Sequence, residues 1–169
     1  MIRFFSCFIL LVGFVFTFVV ETKAQDTDTL VAKIRGHYAQ INKKLKSYRK
    51  VKKAAEGFSL EGGEMTAYFS GKKIMKIAAI FYGESHRTTC DYYFHEGKLI
   101  FVFQKRFNYK EPLSGKVVST EEDRFYFNDD SLIKWLDGNK DRDLNDEEAN
   151  DMKTVMLDDT KKLIEIANS

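Results

Sequence analysis

Cysteine and proline are scarce in this sequence. Only two cysteines occur, Cys7 and Cys90, and Cys7 lies in an apolar run at the N-terminus. We therefore expect no disulfide within the folded chain and predict that packing, supplied by many Phe and Tyr residues, stabilises it. A lone cysteine in a strand is typical of a small buried apolar side chain. The one proline, Pro112, lies in a polar stretch that we interpret as a loop.

Catalytic signatures are also lacking. The sequence has no Gly-x-Ser-x-Gly elbow and no phosphate-binding glycine loop. Its histidines share no metal-ligand spacing and are His37, His86 and His95. We therefore predict a protein that is not an enzyme and has no cofactor apart from the calcium ion considered below. The alternative is a hydrolase whose site is assembled from distant residues.

The N-terminus has the pattern of a secretory signal peptide. Arg3 precedes an apolar run over residues 4–20, and small residues follow at Thr22 and Ala24, the −3 and −1 positions of a cleavage site. We predict cleavage of residues 1–24, a mature chain of one domain over residues 25–169 that does not span a membrane, and a periplasmic or secreted location. Cys7 is too early for a lipidation site. The alternative is an uncleaved membrane anchor, because the run is near the lower length limit for spanning.

One hairpin pattern occurs three times. It consists of Tyr-Phe, four turn-forming or polar residues, and two aliphatic residues, and it begins at Tyr68, Tyr93 and Tyr126. Gly, Asn and Asp tolerate the backbone angles of tight turns, and aromatic or branched residues suit strands. The pattern predicts an antiparallel meander of about six strands. It predicts the following cross-strand pairs: Phe69 with Ile74, Phe94 with Leu99, Phe127 with Leu132, and Tyr93 with Ile100.

Amphipathic helices are predicted on both sides of the meander. Apolar residues at steps of three and four predict a first helix from about Asp26 to Gly57, and a similar stripe predicts a last helix over residues 146–167. The fold class is therefore α+β, with both helices on one face of the sheet. The residues expected on that helix-covered face are Tyr68, Met75, Ile77, Tyr93, Ile100, Val102, Tyr126, Ile133 and Trp135.

The first helix carries a basic face. Its cations are Lys33, Arg35, Lys43, Lys44, Lys46, Arg49, Lys50, Lys52 and Lys53. Such a face could hold an anionic partner, or it could be a solvated surface whose lysine stems cover apolar groups. The formal net charge of only +2 favours the solvated surface and disfavours nucleic acid as a partner.

The second face of the sheet is apolar as well, which is unusual for a sheet with one face in water. We therefore predict that this open face binds a protein partner or an apolar ligand. The residues of this candidate site are Tyr92, Phe94, Phe101, Phe103 and Phe107. The alternative is a sheet that curves around its own core.

An acidic segment after the strands has the spacing of a calcium loop. Counting from Asp137, oxygen ligands fall at positions 1, 3 and 5 and a glutamate at position 12. The candidate ligands are Asp137, Asn139, Asp141, Asp143 and Glu148. Arg142 occupies the position that normally requires glycine, and the preceding segment is predicted to be a strand. The alternative is a strand-to-helix connector with helix-capping side chains.

The segments Tyr-Tyr-Phe-His-Glu-Gly-Lys-Leu-Ile-Phe-Val and Arg-Phe-Tyr-Phe…Leu-Ile-Lys-Trp, the Glu-Gly-Gly-Glu turn and the signal-like N-terminus together resemble a known group. They are similar to uncharacterised exported proteins of Bacteroidetes-type bacteria, which combine a signal peptide, a helix and such hairpins. The resemblance covers most of residues 30–136 and does not include the acidic segment. It implies an envelope location and carries no activity or site residues.

Overall fold

Two long helices and one antiparallel sheet make up the described part of the chain. The computed structural model describes the backbone of residues 18–169 and the side chains of residues 26–169. The elements are α1 (Phe18–Lys43), a 3-10 helix (Leu45–Ser47), β1 (Arg49–Ala54), β2 (Gly63–Ser70), β3 (Lys73–Tyr82), β4 (His86–His95), β5 (Lys98–Tyr109), β6 (Val117–Asn128), β7 (Ser131–Asp137), β8 (Lys140–Asp141) and α2 (Glu147–Asn168). Of the predicted signal peptide, only residues 18–24 are described, and they belong to α1, so cleavage stays a prediction. Neither helix is both long and apolar enough over residues 18–169 to cross a membrane.

The sheet is a meander in which every strand pairs with its neighbours along the chain. Its order is β1 to β8 without a crossover, and all pairs are antiparallel. The predicted α+β class with an antiparallel sheet is thus confirmed. The predicted number of strands is wrong, since the sheet has eight. The two that were missed are the edge strands, a lysine-rich β1 and a two-residue β8.

The first helix ends earlier than predicted. It stops at Lys43, a 3-10 turn follows, and Tyr48 adopts an extended backbone (φ −77°, ψ 143°) that starts β1. Tyr48 and Val51 fit helical spacing, but both also suit a strand. Pairing with β2 provides hydrogen-bond partners for one edge of the β1 backbone, and Val51 packs against the core. The exposed lysines Lys50 and Lys52 then lie on an edge strand, where charge opposes pairing with other chains.

Each of the three repeated hairpins contains a β-bulge at the same place. The pairs of Phe69 with Ile74, Phe94 with Leu99, and Phe127 with Leu132 are confirmed. The predicted pair of Tyr93 with Ile100 is wrong, because Tyr93 pairs with Phe101. Ile100 is the extra residue of the bulge. Met75 and Ile133 are the equivalent residues in the other two hairpins.

The bulges distribute the apolar side chains over two helix-covered faces. The α2 face packs against α2 and contains, among others, Phe69, Ile77, Tyr92, Phe94, Val102, Phe125 and Trp135. The α1 face packs against α1 and contains Met75, Tyr93, Ile100, Phe101, Phe103, Tyr126 and Ile133. The expectation of both helices on one face is therefore wrong. Each helix covers one face, which explains why neither face alternates with polar residues. The sequence analysis assigned Tyr93, Ile77, Val102 and Trp135 to one helix-covered face. The structure places Tyr93 on the α1 face, whereas Ile77, Val102 and Trp135 lie on the α2 face.

Candidate functional site

The five residues predicted to form one open binding face are divided between the two faces. Tyr92 and Phe94 are fully buried on the α2 face, whereas Phe101 and Phe103 lie on the α1 face. Phe107 lies further along β5, where the guanidinium of Arg87 is 4.6 Å from the centre of its ring. The prediction of a shared surface is wrong because the bulge after Tyr93 shifts the register of β5 against β4.

Two of these five residues line a pocket between α1 and the sheet. This α1 pocket has a volume of about 260 Å³ and is lined by Ile34, Arg35, Tyr38, Phe101, Phe103, Arg124 and Tyr126. Aromatic rings dominate its walls. The ring of Phe101 is 5.5 Å from Tyr38 in an edge-on arrangement and 4.9 Å from Tyr126. The walls are therefore apolar and held together by ring contacts.

Two arginines give the α1 pocket its charge, and they differ in their partners. Arg124 donates hydrogen bonds to the Gly138 carbonyl (2.7 Å) and to Glu122 (2.8 Å), and the Glu122 carboxylate also pairs with Lys105 (2.7 Å). Arg35 is exposed, and its Nε–H donates to the hydroxyl of Tyr126 at 3.5 Å. Among the side chains of residues 26–169, no carboxylate forms an ion pair with Arg35. The pocket thus combines aromatic walls with one unpaired guanidinium.

A second pocket lies between α2 and the opposite face of the sheet. This α2 pocket has a volume of about 270 Å³, and its walls include His86, Cys90, Gln104, Met152, Met156 and Asp159. Burial raises the pKa of the Cys90 thiol to about 12, and the thiol donates to the Gln104 side-chain carbonyl at 3.6 Å. Burial also raises the pKa of Asp159. At neutral pH the thiol is therefore protonated and is not a nucleophile in this state.

The histidines do not assemble a catalytic dyad in the described residues. The ring of His37 stacks on that of His95 at 3.7 Å, and burial followed by repulsion from His95 lowers the pKa of His37. His86 lies beside the guanidinium of Arg106 (3.2 Å), and burial followed by that charge lowers its pKa. Its other hydrogen-bond contact is with Ser85, at 3.2 Å. Among the side chains of residues 26–169, no histidine hydrogen-bonds a carboxylate.

The acidic segment forms the β7–β8 hairpin and the start of α2. Asp137 and Asp141 lie on paired strands, while Asp146 caps α2 by accepting a hydrogen bond from the Ala149 N–H (2.7 Å). The guanidinium of Arg142 lies among the carboxylates and forms ion pairs with Asp137 (3.6 Å) and Glu148. In the described part of the chain, no group of three or more His, Cys, Asp or Glu side chains is placed to hold a metal ion. Calcium binding by Asp137, Asn139, Asp141, Asp143 and Glu148 stays a prediction.

The described residues therefore form an α+β fold with a helix on each face of an antiparallel meander. Comparisons with protein families, with curated proteins and with solved structures find no match to this chain. The resemblance to exported Bacteroidetes-type proteins stays a prediction.

Sequence reasoning did not place Arg35 and Arg124 at a pocket. Arg35 was one of nine cations on a basic face, and nothing in its spacing separated it from the others. Its position at the α1 pocket depends on the docking of α1 over β5 and β6. The sequence offers one indirect signal of this position. The residue directly before Arg35 is apolar and belongs to the apolar stripe of the helix, so Arg35 lies at the border between that stripe and the basic face.

Proposed function

We propose that this protein is an exported, non-catalytic binding protein whose α1 pocket takes a small apolar ligand with an acidic group. The observation that carries the proposal is the Arg35 guanidinium, which has no carboxylate partner among the side chains of residues 26–169 and borders a pocket walled by aromatic rings. Ligand pockets in proteins are mostly apolar, with a few polar groups that fix orientation.

The charge balance favours an anion over a neutral or cationic ligand. Glu122 is shared between Arg124 and Lys105, and Arg35 has no carboxylate partner among the side chains of residues 26–169, so the pocket carries a net positive charge. A guanidinium offers two parallel N–H donors to a carboxylate. The Tyr126 ring lies 5.7 Å from the Arg35 guanidinium and holds it near the pocket before any ligand arrives. Pre-positioning of this kind reduces the entropy lost on binding.

The volume limits the size of the ligand. A cavity of about 150 Å³ accepts benzene, and pockets for drug-sized ligands span about 300–1,000 Å³. The α1 pocket, at about 260 Å³, lies between them. One or two fused rings, or a short aliphatic chain, therefore suit the apolar part of the ligand.

Export rests on the sequence of residues 1–24, with its apolar run and small residues at Thr22 and Ala24. N-terminal sequencing of the protein purified from its native cells tests this part. We expect the mature chain to begin at Gln25 and to fractionate with the periplasm or the medium. A protein that retains residues 1–24 would contradict it.

Binding is tested with two probes that share one ring system. 2-Naphthoate is an aromatic carboxylate, and 2-naphthamide is its neutral analogue. We expect the purified protein to bind 2-naphthoate more tightly in a calorimetric or fluorescence titration. Arg35→Gln should weaken naphthoate binding by about 10- to 150-fold, because it removes a charged hydrogen bond of about 1.5–3 kcal/mol.

Matched controls separate this site from general charge effects. Lys33→Gln removes a nearby exposed cation of α1 that does not line the pocket, and it should leave the preference for naphthoate intact. In Arg35→Gln the two probes should bind alike. Equal affinity for both probes in the native protein, or a preference that survives Arg35→Gln, would overturn the proposal.

A further inference from the structure

Seven basic side chains lie together at one corner of the fold. The helix α1 ends at Lys43, the 3-10 helix follows, and β1 begins at Arg49. In the β1–β2 pair Arg49 lies opposite Phe69, and β2 ends one residue later, at Ser70, where the turn to β3 begins. The lysines of that turn therefore lie beside the start of β1, because paired strands are only about 5 Å apart. This basic corner consists of Lys43, Lys44, Lys46, Arg49, Lys50, Lys72 and Lys73, all of them exposed.

Acidic residues do not neutralise the basic corner. Residues 29–55 and 65–83 contain no Asp or Glu, although the chain has 25 acidic residues against 27 Lys and Arg. Among the side chains of residues 26–169, none of the seven cations takes part in an ion pair. The formal net charge of +2 therefore does not describe this corner, where positive charge is concentrated and raises the local potential.

Protection of the sheet edge explains only part of this charge. Lys50 lies on the edge strand β1, where charge opposes pairing with other chains. Lys43 and Lys46 lie outside the sheet, on α1 and on the 3-10 helix, and Lys72 lies in a turn, so none of these three shields a strand edge. Like charges at one place repel each other and lower stability. Their concentration here therefore indicates an anionic partner.

The chemistry of the basic corner fits a diffuse negative surface better than a single anionic group. Six of its seven cations are lysines, which act as point charges, whereas a forked guanidinium suits one phosphate or carboxylate. The guanidinium of Arg49 lies 4.2 Å from the centre of the Phe69 ring, and the ammonium of Lys50 lies 5.6 Å from that of Tyr68. Cations thus cover these rings, which offer no open platform for the stacking of nucleic-acid bases.

We propose that the basic corner binds the surface of an anionic lipid bilayer, with its ammonium groups against the phosphates of the headgroups. Clusters of about four to eight Lys and Arg attract anionic lipids in this way. A concavity of about 440 Å³ beside Lys43, Lys44 and Lys46 gives headgroups access to these lysines. Either predicted role of residues 4–20, signal peptide or anchor, brings the chain to a membrane. None of the seven cations lines the α1 pocket, so this inference is independent of the ligand proposed above.

Co-sedimentation of the purified protein with lipid vesicles tests the proposal. The anionic probe is a vesicle of phosphatidylglycerol and phosphatidylcholine in equal parts, and the neutral probe is phosphatidylcholine alone. We expect binding to the anionic vesicles only, and release in about 1 M NaCl, where the screening length falls to about 3 Å. The triple variant Lys43→Gln, Lys46→Gln, Lys72→Gln should bind about 100-fold more weakly, since each cation near the surface contributes about fivefold.

A matched control separates the basic corner from the net charge of the chain. The triple variant Lys110→Gln, Lys116→Gln, Lys161→Gln removes three exposed lysines from the β5–β6 connection and from α2, and it has the same net charge as the first variant. It should bind anionic vesicles nearly as tightly as the native protein. Circular dichroism shows whether both variants are folded. Equal losses in the two folded variants, equal binding of the native protein to neutral and anionic vesicles, or binding to the soluble polyanion heparin without binding to anionic vesicles would overturn the proposal.

Discussion

A nearly buried lysine on the α1 face allows a quantitative test of the packing. The Lys76 ammonium lies 2.8 Å from the Asp91 carboxylate on the neighbouring strand and 4.9 Å from the centre of the Tyr93 ring. The Lys76 side chain is 9% exposed and that of Asp91 is 32% exposed. The ammonium therefore depends on these two partners, whereas the carboxylate can still reach water.

Lys76→Met removes the ammonium and keeps most of the apolar stem. A hydrogen bond to a charged group contributes about 1.5–3 kcal/mol, and a cation over an aromatic ring about 0.5–2 kcal/mol. Breaking a fully buried pair costs about 3–5 kcal/mol. Because water can solvate the Asp91 carboxylate that is left, we expect a loss of about 2 kcal/mol, or roughly 4–8 °C in melting temperature for a chain of this size.

Urea and thermal unfolding, followed by Trp135 fluorescence, measure this loss. A double-mutant cycle with Asp91→Asn should give a coupling energy of at least about 1 kcal/mol. The matched control is Lys98→Met. It breaks an ion pair with Asp129 whose side chains are 60% and 67% exposed, and it should leave the melting temperature unchanged. Equal effects of the two lysine substitutions, or additivity with Asp91→Asn, would refute the reasoning.

Three further predictions concern α2 and the segment before it. Leu163→Ala should lower the free energy of unfolding by about 2–5 kcal/mol in urea titrations, because Leu163 is fully buried against the sheet; a smaller loss would contradict that packing. Burial raises the pKa of Asp159, because the folded protein disfavours the ionised carboxylate. The free energy of unfolding therefore falls as the pH rises from the ordinary pKa of this carboxyl through its raised pKa. Asp159→Asn should therefore be more stable than the native protein at pH 7, with the difference shrinking as pH approaches the ordinary value of 3.8; an equal or lower stability at pH 7 contradicts this. Finally, Arg142 already pairs with Asp137 and Glu148, so we expect the same melting temperature in calcium and in chelator, and a rise with calcium would support the calcium loop instead.

Local signals in the sequence predicted the hairpins well. The turn residues between Phe94 and Leu99, and between Phe127 and Leu132, fix where the chain reverses, and those pairs are correct. The bulges could not be predicted, because the run from Leu99 to Phe103 is apolar throughout and no polar residue marks which face each side chain takes. A shift by one residue reverses the faces. The shift at the β4–β5 bulge therefore places Tyr92 and Phe94 on one face of the sheet and Phe101 and Phe103 on the other.

The end of α1 and the candidate sites depend on tertiary contacts. Val51 fits the apolar stripe of a helix and the pattern of an edge strand equally well. Pairing with β2 determines that this residue belongs to a strand. Arg35 and Phe103 are far apart in sequence and meet only because α1 crosses β5 and β6. Cys90 and Met156 likewise meet only through the docking of α2. Single-sequence patterns carry no information on which helix covers which face.

The α1 pocket is tested most directly by locating a bound probe. Nuclear Overhauser contacts between the ring protons of 2-naphthoate and the side chains of the labelled protein report which residues lie within a few ångströms of the probe. Our account predicts contacts with Tyr38, Phe101 and Phe103. Contacts with Phe81 and Met156 in the α2 pocket, or none with any side chain, would contradict it.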